Sequence, residues 1–168
     1  MTQPDPVYDA DRLREIVELG LLEPDVGPLL NEIAERAAVA LSQPVSLVSV
    51  VLDDALHVAA AHGVAGMWMV ETGGHPLEWS FCATSVRTRE PFVVEDAGEH
   101  PAHRGNPLVT QDGLRCYAGV PLISSRGFVL GNLCVVGMEP RHFSDDELAT
   151  LGALAAEAVA RIEARRTA

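Results

Sequence analysis

Three cysteines and one histidine-rich run carry most of the reactive chemistry in this sequence. Cys82 stands in the first turn of a stretch, residues 81–88, that reads as a short helix capped by Ser80. Unpaired N–H groups and the positive end of a helix dipole favour a thiolate at such a place. Cys82 is therefore the reactive thiol of the sequence, as a redox sensor or an attachment point. The alternative is the ordinary role of a small buried hydrophobe. Cys116 and Cys134 lie in apolar runs and read as inert core. Three widely spaced cysteines without CxxC spacing fit neither a disulfide framework nor a zinc site.

The second cluster is Asp96, His100, His103, Arg104 and Asn106, inside the segment EHPAHRGNPLVTQDG and just before it. Arg104 could hold an anionic ligand through its planar fork, or pair with Asp96 and pin the loop. His100 and His103 would need further ligands to hold a metal, and the sequence places none beside them. His57, His62, His75 and His142 are scattered. Trp79 and Tyr117 could stack on a planar ligand or fill core. No Ser-His-Asp set, glycine-rich phosphate loop or carboxylate pair stands out.

The elements that must position these groups centre on two apolar runs, residues 114–123 and 128–136, joined by Ser124-Ser125-Arg126-Gly127. A short Gly-containing loop between β-prone runs predicts a hairpin, and apolar residues on both parities place it inside a sheet covered on both faces. Pro121 lacks an N–H and predicts a local break such as a bulge. Upstream, Asp9 or Asp11 caps a helix bearing Leu13, Ile16 and Val17, stopped by Gly20. Leu29, Leu30, Ile33, Ala34, Ala37, Ala38 and Leu41 form the stripe of a second helix, ended before Pro44. Residues 45–52 and 55–62 read as strands, 64–77 as a loop over an apolar surface, and 92–95 as a short strand. The segment 97–113 has no periodicity and reads as a binding loop or lid. In the last helix, Ser144 and Glu147 make a capping box, with Phe143 and Leu148 at the staple positions. Its apolar stripe runs from Leu148 to Ile162.

Length suits one domain: a flexible tail over 1–8, then a single folded unit over 9–168. The formal charge is −12 and the chain has no lysine, which disfavours nucleic acid and anionic membrane surfaces as partners. No signal peptide and no apolar run of the ~20 residues that cross a bilayer is visible, so the expected location is cytoplasmic.

The order of elements, with SFCATSV at 80–86, PFVVEDAGEHPAHRGNPLV at 91–109, YAGVPL at 117–122 and GNLCVVGMEPRHFSDDEL at 131–148, resembles the GAF domain, a sensory module of bacterial signalling proteins. The resemblance implies an α+β fold with a central antiparallel sheet of five to six strands. The N- and C-terminal helices would lie on one face, and the short helix and long loop over a ligand cavity on the other. It points to a ligand-binding set of Trp79, Phe81, Cys82, Ser85, Asp96, Arg104, Asn106 and Tyr117, with no catalytic and no metal-ligating residue. Cys116 stands where the family would place an aromatic, which would enlarge the cavity. The implied function is a small-molecule sensor that is not an enzyme and has no output domain of its own. It would be a homodimer through the terminal helices that signals to a separate partner protein. Its ligand and any cofactor are unassigned. Two alternatives are a ligand-free interaction module and a thiol redox sensor. A third is a reductase of free methionine sulfoxide using Cys82, although members with that activity group their cysteines more closely. The cyclic-nucleotide signature of the family needs a lysine that this chain lacks, and the bilin-attachment pattern is absent.

Overall fold

The computed structural model describes residues 5–63, 74–76 and 81–167. Two helices open the chain, α1 (Ala10–Glu18) and α2 (Val26–Ala40). The Asp9 carboxylate accepts from the Asp11 N–H and starts α1 as the sequence predicts. Strands β1 (Val45–Val51), β2 (Ala55–His62) and β3 (Gly74–Pro76) follow. Next come α3 (Cys82–Thr88), β4 (Phe92–Val94), α4 (Pro107–Thr110), β5 (Cys116–Ile123), β6 (Val129–Gly137) and α5 (Asp145–Thr167). All strand pairs are antiparallel, in the order β3-β2-β1-β6-β5-β4.

The hairpin β5–β6 sits inside the sheet, as its two-sided apolar pattern demands. The Ser124 N–H bonds the Phe128 carbonyl at 2.9 Å, and Gly127 takes φ +88°, a conformation that costs a side chain dearly. Pro121 stays in register opposite Asn132, and the irregularity falls one step later, between Leu122 and Ile123. β4 pairs only with residues 117–119, so Pro121 lies past the end of that neighbour.

Two cores lie on opposite faces of the sheet. The back core joins Ile16 of α1, Leu30, Ile33 and Ala37 of α2, and Leu151, Leu154, Ala158 and Ile162 of α5 to Val48, Val50, Val120, Leu133 and Val135. The front core joins Phe81, Cys82 and Val86 of α3, together with Leu108 and Leu114, to Leu47, Tyr117, Cys134 and Val136. The capping box of α5 forms as expected. The Ser144 N–H donates to Glu147 Oε1 at 3.0 Å and the Glu147 N–H to Ser144 Oγ at 3.1 Å.

Three local expectations change. Residues 5–8 are not a loose tail: Pro6–Tyr8 is a 3-10 turn with Val7 fully buried. The buried Arg12 guanidinium pins this turn, donating to the carbonyls of Pro6, Val7 and Val129 at 3.1, 2.8 and 3.1 Å. Val17, expected on the inner face of α1, is 68% exposed. The β3 ladder position within 74–76, read as loop, adds an edge strand beside β2.

Candidate functional site

The front core differs from ordinary packing because polar side chains cross it. Tyr117 points forward from β5, with its ring 5.2 Å from Phe81 and its hydroxyl 3.1 Å from Cys82 Sγ. The same hydroxyl lies 3.2 Å from Asn132 Oδ1, and Asn132 Nδ2 donates to Ser85 Oγ at 2.9 Å. One phenolic proton cannot serve two acceptors at once, so Tyr117 divides it between the sulfur and the amide oxygen. Cys134, two residues beyond Asn132 on the same face of β6, packs with Cys82 in the front core.

These groups are almost wholly buried: Ser85, Asn132 and Cys134 at 0%, Tyr117 at 2% and Cys82 at 4% exposed. Contact with Cys82 and then burial push the Cys134 thiol well above its usual range. Burial and then the neighbouring thiols do the same to the Tyr117 phenol. Both groups therefore keep their protons at neutral pH, and the Tyr117 hydroxyl is placed to donate to the Cys82 sulfur. Room for this network depends on Gly119, where a Cβ would run into Asn132 Oδ1 and the Tyr117 hydroxyl.

A void of about 20 Å³ lies among Leu47, Leu56, Phe81, Cys82, Leu108, Leu114, Tyr117, Cys134 and Val136. A cavity needs roughly 10–15 Å³ to hold one water, so this one admits a molecule of about that size and no organic ligand. An open cleft of about 440 Å³ exists at the far end of the sheet, along Ser42, Gln43, Pro44 and Met138–Arg141. None of the expected site residues lines it.

The long loop folds over this region as a series of turns leading into α4. His103 lays its ring 4.3 Å from Phe81 and 5.8 Å from Phe92, with His100 at 4.6 Å. Burial, reinforced by His100, holds His103 below the ordinary histidine value, so its ring packs neutral.

Of the eight expected residues, the fold brings together Phe81, Cys82, Ser85 and Tyr117. Trp79 lies outside the described residues. Asp96 accepts from the Gly98 N–H at 3.1 Å and shapes a turn. Asn106 caps α4 by accepting from the Leu108 N–H at 2.9 Å. Arg104 is exposed, and among the described residues no ion pair joins it to Asp96. Sequence reasoning missed Asn132, while Cys134, read as core, lies fully buried in the front core. The available signal was Asn132 itself, a lone amide inside an otherwise apolar strand.

A family model described as a GAF domain matches residues 24–163. A cyclic di-GMP phosphodiesterase of Pseudomonas aeruginosa is 32% identical over 99% of this chain, which spans 28% of that protein's length. Among solved structures, the GAF domain of a Coxiella burnetii phosphoenolpyruvate-protein phosphotransferase is 23% identical, covers 98% of both chains and has a TM-score of 0.67. The free methionine-R-sulfoxide reductase of Neisseria meningitidis is 22% identical over 99% of this chain and 95% of its own, with a TM-score of 0.68. That last likeness corrects the expectation of a non-enzyme. The same fold is found in a reductase, so the architecture gives no ground for excluding catalysis. Among the described residues, no helix is long and apolar enough to cross a membrane. The family model spans most of the sequence, and on that ground this chain belongs to the GAF domain family, a small-molecule-sensing fold.

Proposed function

We propose that this GAF domain is a regulatory input module that senses oxidants through Cys82. One observation carries the reading. The Cys82 sulfur faces the Tyr117 hydroxyl at 3.1 Å beside a void with room for a water-sized molecule. A peroxide is near that size, whereas a nucleotide or an amino acid requires the front layer to open. Tyr117 supplies the relay. When Cys82 carries negative charge, the phenolic proton turns to the sulfur and leaves Asn132. When the sulfur is oxidised, the phenolic hydrogen bond turns back to Asn132 Oδ1, and the Asn132 Nδ2 donates to Ser85 on the helix that carries Cys82. The likeness to a longer phosphodiesterase supports placing the output in a signalling enzyme, in the same polypeptide or a separate one. Pairing of two copies belongs to the same reading, supported by exposed Val17 and Leu22 at the end of α1.

Treatment with hydrogen peroxide in the presence of dimedone tests the reading. The expected result is one adduct per chain, mapped to Cys82 and lost in Cys82→Ser. Absence of oxidation at Cys82, whether as an adduct or as a disulfide, would end it.

A second reading is a thiol-dependent sulfoxide reductase. It is favoured by the same neighbouring thiols and phenol, and it requires the front layer to open for its substrate. Turnover of free methionine sulfoxide coupled to a thioredoxin system would establish it, and no turnover would remove it.

A further inference from the structure

Cys134 is fully buried, as Cys116 is, yet it is not surrounded by hydrocarbon alone. It lines the same void of about 20 Å³ as Cys82 and packs with it in the front core, although α3 and β6 are far apart in the sequence. Cys116, the third thiol, lies on the opposite face of the sheet and donates to Gln43 Oε1 at 3.4 Å. The sheet therefore separates one thiol from the other two.

We propose that Cys134 is the resolving thiol of Cys82, and that oxidation closes an intramolecular Cys82–Cys134 disulfide bolting α3 to β6. This rests on the reading of Cys82 as the oxidant-sensing sulfur. In the first step the Cys82 thiol gives up its proton and the sulfur attacks hydrogen peroxide: an S–O bond forms, the O–O bond breaks, and the departing hydroxide takes up that proton to become water. Sulfur is oxidised to the sulfenic acid and the peroxide is reduced. In the second step Cys134 sulfur attacks Cys82 sulfur, the S–S bond forms and the S–O bond breaks. The proton that Cys134 holds leaves with the hydroxyl as a second water. The thiolate is the nucleophile, so the Cys134 proton leaves as its sulfur attacks and is taken by the departing hydroxyl. Once the bridge closes, Cys82 is no longer an acceptor for Tyr117, and the phenolic proton passes to Asn132. Oxidation is thereby converted into a fixed contact between the front helix and the central strand.

The test is stoichiometric peroxide without dimedone, followed by denaturing alkylation and peptide mapping of the full chain. Two of the three thiols should resist alkylation, in a Cys82–Cys134 linked peptide that dithiothreitol releases. In Cys134→Ala, which circular dichroism should show folded, dimedone capture at Cys82 should persist at times when the wild type has lost it. A sulfenic acid that persists at Cys82 in the wild type would overturn the pairing, as would a bridge to Cys116, and both leave Cys82 as the sensor. An unoxidised Cys82 would overturn both readings together. The wild-type map decides even if the variant does not fold.

Discussion

The two faces of one sheet solve different problems. Behind it, α1, α2 and α5 bury Leu, Ile, Val and Ala against Val48, Val120, Leu133 and Val135, and stability there is a matter of volume. In front, alternate residues of the same strands hold Tyr117 and Asn132 in a hydrogen-bonded line to α3, with Cys134 packed beside them. A buried polar group costs free energy unless it is satisfied, so such a line adds little stability and sharpens geometry. The contrast between β6 neighbours is sharpest: Leu133 packs at the back, while Asn132 beside it bonds Ser85 across the front core.

Four measurements can break that contrast. Leu133→Ala should cost about 2–5 kcal/mol in urea unfolding, as deletion of a fully buried leucine does. Asn132→Ala should cost less, about 1–3 kcal/mol, because it leaves the Ser85 hydroxyl and the Tyr117 phenol short of partners. It should also alter peroxide reactivity at Cys82, which Leu133→Ala should not. Ser144→Ala, remote from both cores' chemistry, should cost about 0.5–2 kcal/mol with no redox effect. The smallest effect is one of pH. His103 packs neutral with its pKa lowered, so the unfolded chain binds the proton more readily. Stability should then be full above the ordinary histidine value and fall as pH drops below about 6.5. His103→Phe should flatten that slope, and an unchanged slope would remove His103 from the front layer.

Much of the framework was legible because it rests on local rules. The box at Ser144 and Glu147, the stripe of α2 and the turn at Gly127 each depend on residues close in sequence. The front cluster is legible only in part. Strand parity puts Asn132 and Cys134 on one face, but it does not say which face, nor that α3 lies across it. The contact of Cys82 with Cys134 skips β4, α4 and β5, and only the topology creates it. Phe81, Cys82, Ser85 and Tyr117 fell within reach of the expected site because they flank that contact. Asp96 and Asn106 were singled out for their chemistry, and they spend it on backbone N–H groups of their own loop.

The central claim is that the chemistry sits on one side of the sheet. Site-resolved mass spectrometry after graded peroxide exposure of the folded chain measures this directly. The account predicts oxidation at Cys82 and Cys134 while Cys116 stays reduced. Oxidation of Cys116 first, or of all three in parallel, would contradict it.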